Sequence, residues 1–197
     1  MSKKRYAMRQ PRFAGGIRLQ EARGAVPRAW WAKRWIDTVA CKDLAGRYAR
    51  GRVYAMNGQV TKIEIAPALV KATVVGARTE PYSVNIRFRS PEGEARKRII
   101  ARFRDNPILV SRILSGELPT EVERFFRDEA LDLFPGGRLA DGVYDVTTSC
   151  SCPDYGNPCK HSFAVLLLLG EELARRPELL LELRGITIEE LCGEDRV

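Results

Sequence analysis

The sequence predicts an α+β fold, in which a small antiparallel sheet or half-barrel is followed by helices and a cysteine-rich C-terminal module packed on a helix. Apolar and polar residues alternate through 60–65 and again through 84–88, as they do in strands with one buried face. After Pro91, apolar residues recur at helical spacing between basic ones. Hydrophobic residues make up 45% of the 197-residue chain, enough for an ordinary core.

Residues 1–28 are predicted to form a basic, flexible arm. Residues 1–52 contain 14 lysines and arginines against three acidic residues, whereas the rest of the chain has 19 basic and 22 acidic residues. Attraction to a polyanion must therefore come chiefly from the first quarter of the chain. A solvated basic surface, as in an arginine-rich proteome, is the alternative explanation of the same charges.

Residues 29–135 are predicted to form an α+β domain that begins with an amphipathic helix at Trp30. Trp31 and Trp35 lie on its apolar side, and we expect them to fill a core rather than to stack on bases. The dipeptide Asn57-Gly58 readily takes the positive φ values of a type I′ turn, so a hairpin between 53–56 and 60–65 is predicted.

Two further strands, 69–75 and 82–88, would extend that hairpin into a four-stranded antiparallel meander. Helical patterns follow up to Asn106-Pro107, which interrupts them, and then over 108–114. The arginines of the first pattern predict a second basic face. A capping box, Thr120 to Glu123, predicts a helix that continues to Leu131.

Residues 136–197 are predicted to form the C-terminal module, after a boundary at Pro135-Gly136-Gly137. A strand over 144–148 leads into the cysteines. The apolar run from Phe163 to Leu169 predicts a buried helix, and short helices follow over 179–183 and after the capping box of Thr187 and Glu190.

The cysteine-rich stretch gathers three of the five cysteines and the only histidine of the chain, as Cys150-Ser151-Cys152 and Cys159-Lys160-His161. Three thiols and an imidazole suit tetrahedral zinc, and the six residues between the pairs are typical of a turn. Buried cysteines without a metal, or disulfides, are the alternatives. A disulfide between residues two apart is strained, so zinc is favoured, and four protein ligands predict one structural Zn²⁺.

The pattern CxC, a spacer and CxH resembles the SWIM zinc finger. The text Thr148–Tyr155 and Asn157–His161 is similar to stand-alone prokaryotic SWIM proteins in particular, and the likeness extends to 30–35, 51–54 and 114–119. The resemblance implies a zinc-stabilised module of bacteria or archaea that binds DNA or proteins. It also implies an association with helicase-like remodelling ATPases.

Neither catalysis nor a membrane location is expected. The chain has no Walker-type phosphate loop, and its only histidine is assigned to the metal, which leaves no imidazole base for a nucleophile. The run Phe163 to Leu169 is too short to cross a bilayer, and no apolar segment follows the basic N-terminus. We therefore expect a non-enzymatic cytoplasmic protein.

Two functions fit these observations. The first is binding of nucleic acid, DNA rather than RNA, through the phosphate backbone. The second is an adaptor that docks on a remodelling ATPase or another protein. The candidate phosphate contacts are Arg12, Arg18, Arg23, Arg28, Arg47, Arg50, Arg52 and Lys160.

Overall fold

Four strands form one antiparallel sheet in the order β1-β2-β3-β4. The computed structural model of the chain describes residues 15–20, 29–40, 45–135, 145–154 and 157–193. The strands are β1 (Val60–Ala66), β2 (Leu69–Val74), β3 (Tyr82–Phe88) and β4 (Val146–Cys150). The predicted α+β fold with an antiparallel sheet is confirmed, and the alternation in β3 is as expected, with Val84, Ile86 and Phe88 buried.

Eight helices accompany this sheet in the described ranges. They are α1 (Trp30–Val39), α2 (Ala45–Met56), α3 (Gly93–Arg104), α4 (Pro107–Leu114), α5 (Glu121–Arg127), α6 (Lys160–Arg175), α7 (Leu179–Leu183) and α8 (Ile188–Cys192). None of the described helices is both long enough and apolar enough to span a bilayer.

The predicted hairpin around Asn57-Gly58 is wrong. Residues 53–56 are the last turn of α2, and the amides of Asn57, Gly58 and Gln59 donate back to carbonyls of that turn. Gly58 has a φ of 68°, which also serves to end a helix, so the same dipeptide signals either a hairpin or a helix C-terminus. Packing decides, because Tyr54 and Ala55 are buried by the helical conformation. The fourth strand of the sheet is β4 instead.

Helix α6 is the centre of the hydrophobic core. Every residue from 161 to 170 is buried, and α1, α2 and the sheet surround the helix. The indole N–H groups of Trp31 and Trp35 donate to the α6 carbonyls of Leu173 and Leu166 at 2.8 and 2.9 Å. The expectation that these tryptophans fill the core is confirmed.

The contact between α2 and α6 depends on Gly51. A Cβ atom at this position would lie 2.5 Å from the Cβ of Phe163 and 2.9 Å from the carbonyl oxygen of Lys160. Real Cβ atoms essentially never approach that closely, so glycine allows the two helix backbones to meet. Because Lys160 and Phe163 flank His161, this contact also places α2 beside the cysteine-rich stretch.

The two capping boxes have different outcomes. The Thr187 hydroxyl accepts from the amide of Glu190, and the Glu190 carboxylate accepts from the amide of Thr187, which confirms this box. Thr120 makes no such bond, because its backbone is already helical with φ −66° and ψ −24°. The helix that follows also ends at Arg127, before Leu131.

The predicted second basic face is largely neutralised by carboxylates. Arg98 binds Glu129 with two hydrogen bonds of 2.9 and 2.6 Å, and Arg102 binds Asp128 at 2.7 Å. Nearer the start of α3, Arg96 pairs with Glu190 of α8. These ion pairs, with α8 and with the segment after α5, offset the charge expected on α3.

A buried ion pair joins the C-terminal helices to the start of β4. The guanidinium of Arg184 makes two hydrogen bonds to the Asp145 carboxylate, of 2.6 and 2.7 Å, and both side chains are essentially inaccessible to solvent. It also donates to the carbonyls of Leu133 and Arg89. The strand that carries the first cysteine is therefore fixed to α7 as well as to β3.

The division of the chain into an arm (1–28) and domains at 29–135 and 136–197 stays a prediction. Of the arm, only 15–20 is described, and the boundary at residue 136 lies outside the described residues. In the described parts, β4 joins the sheet formed by β1 to β3, and residues on both sides of the boundary share one hydrophobic core.

Candidate metal centre

The end of β4 and the start of α6 bring the two ligand pairs together. Cys150 is the last residue of β4 and stands opposite Val84 of β3. Ser151 continues the pairing, since its amide donates to the Ser83 carbonyl and its hydroxyl accepts from the Ser83 amide. Cys159 is the N-cap residue of α6, and His161 lies in the first turn. The sheet and the helix therefore fix one pair each.

The four ligand atoms lie within 4.8 Å of one another. The Nδ1 atom of His161 is 3.7 Å from the sulfurs of both Cys150 and Cys159. In a zinc tetrahedron with Zn–S near 2.3 Å and Zn–N near 2.05 Å, the S···N edge is about 3.6 Å. The donor atoms and their spacing thus fit zinc, and Cys150, Cys152, Cys159 and His161 are positioned to bind one ion. The predicted Zn²⁺ cofactor is confirmed.

Hydrogen bonding among the thiols divides their charge unequally. The pKa of Cys159 is lowered, first by a hydrogen bond from Cys150 and then by His161 and Ser162. The pKa of Cys150 is raised by the same hydrogen bond and by burial, and burial raises the pKa of Cys152. Without metal, the negative charge therefore rests on Cys159, beside the N-terminus of α6, whose dipole favours a thiolate.

The loop between the pairs is tied to its surroundings at two places. The Thr148 hydroxyl of β4 donates to the side-chain oxygen of Asn157, and the peptide bond from Asn157 to Pro158 is cis. Asp154 forms an ion pair with Arg47 of α2 at 3.5 Å. Residues 155 and 156 lie outside the described part of the chain.

Comparison with known families also indicates a zinc-binding site at these residues. The family model of the SWIM zinc finger matches residues 142–170, the stretch that holds all four ligands. The chain contains a SWIM zinc finger. The resemblance predicted from the sequence is thereby confirmed, and this finger shares its sheet and core with residues well outside the matched stretch.

Similarity to known proteins extends beyond the SWIM finger. The chain is 35% identical over 179 residues to the uncharacterized protein Rv2102 of Mycobacterium tuberculosis (strain ATCC 25618 / H37Rv). The alignment covers 91% of this chain and 63% of that protein, so the chain spans less than two thirds of its relative. No solved structure matches the chain.

The structure brings some of the candidate phosphate contacts to the SWIM finger. Arg47 and Arg50 are one turn apart on α2, and Tyr54, one turn further, lies under the ammonium of Lys160 at 5.2 Å from its ring centroid. Arg52 follows Arg50 by two residues and therefore faces another side of the helix. Arg18 lies beside Gly58, at the opposite end of α2 from Arg47. Arg12, Arg23 and Arg28 lie outside the described residues.

Sequence reasoning missed the aromatic residues around His161. Tyr54 and Tyr82 pack their rings against the imidazole, with centroids 5.0 and 4.6 Å away. The sequence pattern places Tyr54 in a strand, and Tyr82 is one apolar position among several in β3. Neither residue carries a local signal for metal binding, because α2 and β3 meet the SWIM finger only in the tertiary structure.

Proposed function

We propose that this protein binds nucleic acid without catalysis, DNA in preference to RNA, through phosphate contacts made beside its SWIM finger. The observation that carries the proposal is the charge of α2. This helix contains Arg47, Arg50 and Arg52 and no acidic residue. Arg47 and Arg50 lie on the side where Lys160 begins α6, so three positive side chains border the metal centre.

The contrast with α3 supports this choice of surface. Three arginines of α3, Arg96, Arg98 and Arg102, are held by carboxylates of α8 and of the segment after α5. On α2, Arg47 forms an ion pair with Asp154 at 3.5 Å. The side chains of both residues are about a third exposed. Arg50 is exposed and forms no ion pair with the described carboxylates. Its charge is available to a phosphate.

A non-enzymatic role is supported by the ligand set. Catalytic zinc sites usually keep one position open for water or substrate, whereas here three thiols and an imidazole fill a tetrahedron. Zinc would therefore hold the end of β4 against the start of α6, next to the basic residues. Three thiolates also need a reducing compartment, which supports the cytoplasm as the proposed location.

The salt dependence of binding tests the proposal. Affinity for a short DNA duplex and for an RNA of matched length is measured between low and moderate salt. Each phosphate contact to B-DNA contributes about 0.9 to the slope of log affinity against log salt. We expect Arg50→Gln and Lys160→Gln each to lower the slope by about that amount. A second comparison removes residues 1–14 alone, because residues 15–20 pair with Gly58 and Val60 and are part of the fold.

Arginines of α3 provide matched controls. Arg98→Gln and Arg102→Gln remove the same charge from a helix where each guanidinium is already paired. We expect these variants to leave the slope nearly unchanged. Equal effects of the α2 and α3 substitutions would show that net charge, and not this surface, attracts the nucleic acid. Undetectable binding at low salt would refute the proposal.

An adaptor for a helicase-like remodelling ATPase is the second candidate. It is favoured by a groove of about 460 Å³ between β1, α6 and α7, in which Ile63, Ile65, Leu168 and Leu179 form an apolar part beside the charged Glu172, Arg176 and Glu182. An amphipathic segment of such an ATPase would fit this groove. Ile65→Lys should then abolish binding of a purified ATPase and leave the affinity for DNA unchanged. If Ile65→Lys still binds both the ATPase and DNA, the groove no longer supports the adaptor role.

A further inference from the structure

The imidazole of His161 is enclosed by two tyrosine rings from outside the SWIM finger. Tyr54 of α2 meets it at 69° with centroids 5.0 Å apart, and Tyr82 of β3 lies at 32° and 4.6 Å. His161 is 2% exposed, Tyr54 6% and Tyr82 7%. The ring that supplies the nitrogen ligand is therefore packed on two of its sides by aromatic surface.

Hydrogen bonding does not fix this ring within the described part of the chain. Its Nδ1 atom faces the sulfurs of Cys150 and Cys159, and its Nε2 atom is buried without a hydrogen-bond partner. A zinc-binding histidine usually donates its second N–H to a carboxylate or carbonyl, which sets the orientation of the ring. No described residue provides that restraint, so the packing of neighbouring rings is the contact that can hold Nδ1 toward the metal.

We propose that Tyr54 and Tyr82 are positioning residues of the zinc centre. Their rings hold the imidazole with Nδ1 directed at the three sulfurs, in place of a hydrogen bond to Nε2. The ligand set supplied by residues 150–161 is then pre-organised by α2 and β3, which lie outside the matched finger. This inference concerns zinc affinity and does not depend on the proposed binding of nucleic acid.

Each tyrosine is itself held in place. A Cβ atom on Gly76 would lie 2.3 Å from Cε2 of Tyr82, so the strand-end backbone lies directly against that ring. The ammonium of Lys160 lies 5.2 Å from the centroid of Tyr54, a cation–π distance. Burial, followed by the charges of Cys152 and Cys159, raises the pKa of Tyr54, as expected for a ring beside the thiols.

Two substitutions at each tyrosine separate the ring from its hydroxyl. Tyr54→Phe and Tyr82→Phe keep the ring, whereas Tyr54→Leu and Tyr82→Leu remove it and keep an apolar side chain. Zinc affinity is measured by competition with a chromophoric chelator, and Co²⁺ loaded in place of zinc reports the coordination geometry through its d–d absorption. Loss of an outer contact to a ligating histidine costs about 10–100-fold in metal affinity. We expect that range for the leucine variants, with a changed cobalt spectrum, and affinities within about twofold of the parent protein for the phenylalanine variants.

Phe103→Leu is the matched control for loss of a buried aromatic ring. Phe103 is fully buried in α3 and contacts Phe125, so this change weakens the core away from the metal. We expect a lower melting temperature with an unchanged cobalt spectrum. A changed spectrum in this control would overturn the proposal, because any loosening of the core would then suffice.

Gly76→Ala provides a second route to the same question. This variant keeps both tyrosines but forces the Tyr82 ring to shift. It therefore tests the positioning role even if a leucine variant fails to fold. We expect weaker zinc binding from it. Parent-like affinity and cobalt spectra in Gly76→Ala and in the folded leucine variants would overturn the assignment, as would phenylalanine variants that lose as much affinity as the leucine ones.

Discussion

Substitution of Arg184 by methionine tests the buried ion pair that fixes the start of β4. Methionine fills much of the volume of the arginine side chain but removes the guanidinium. That group makes two hydrogen bonds to Asp145, of 2.6 and 2.7 Å, and one each to the carbonyls of Leu133 and Arg89, of 3.2 and 2.9 Å. The substitution therefore leaves one carboxylate and two carbonyl groups without this donor.

The expected loss of stability follows from the burial of the pair. The Arg184 side chain is 0% exposed and that of Asp145 1%, so water does not replace the lost partner. Removal of one member of a buried pair costs about 3–5 kcal/mol. For a chain of about this length, 1 kcal/mol lowers the melting temperature by about 2–4 °C, so we expect a decrease of about 6–20 °C.

Urea denaturation with saturating zinc measures the effect apart from metal loss. The double variant Arg184→Met, Asp145→Leu should recover part of the lost stability, because it also removes the buried carboxylate that has lost the guanidinium. Arg112→Met is the matched control. Arg112 makes the same two-bond contact with Glu117, but both side chains are about half exposed, and we expect little change in the denaturation midpoint.

A loss below about 1 kcal/mol for Arg184→Met would refute this reasoning, since a loss that small is typical of an exposed pair. It would mean that solvent reaches Asp145 when the guanidinium is absent. A double variant no more stable than the single one would also contradict it, because the cost would then come from packing and not from the loss of the guanidinium by the buried carboxylate.

Three further predictions concern α2 and the metal. Gly51→Ala should destabilise the protein by about 1–3 kcal/mol through overpacking against α6. At Gly46 the nearest neighbouring atom is 3.7 Å from an added Cβ, so Gly46→Ala should stabilise the protein by up to about 1 kcal/mol. Denaturation curves in which both changes act alike would contradict the close approach of the helices. Cys152→Ser should abolish stoichiometric zinc binding, shown by elemental analysis, and make the melting temperature insensitive to chelator, because structural zinc contributes on the order of 10 kcal/mol in small fingers. Zinc uptake near pH 7 should release about two protons, from Cys150 and Cys152, since the lowered pKa of Cys159 leaves it already ionised and the other two pKa values are raised. Zinc affinity should therefore fall as the pH falls, and release of three protons in a weakly buffered titration would show that Cys159 also starts protonated.

The metal centre was predictable from the sequence because its information is local. The four ligands lie within twelve consecutive positions, as Cys150, Cys152, Cys159 and His161. Three thiols and an imidazole so close together have few roles other than metal binding. The strand β3 was likewise predictable, since one of its faces is buried and the other exposed, which imposes a period of two. Tertiary contacts only refine such elements at their ends.

The hairpin failed for the opposite reason. Asn57-Gly58 supplies a positive φ that both a hairpin and a helix C-terminus accept, and the residues before it, 53–56, have no clear periodicity over so short a length. What decides between them is Gly51, where α2 meets a helix more than a hundred residues later in the chain. No local sequence pattern indicates this contact between α2 and α6.

By itself, then, the sequence determined the ligands, the class of fold and the excess of positive charge near the N-terminus. The tertiary structure alone decided that three α3 arginines pair with carboxylates, that Arg50 of α2 forms no ion pair with the described carboxylates, and that Tyr54 and Tyr82 enclose His161. The physical reason is the separation along the chain over which each interaction acts. Ligand type and periodicity act between residues a few positions apart, whereas desolvation, ion pairing and ring packing depend on which distant segments the core brings into contact.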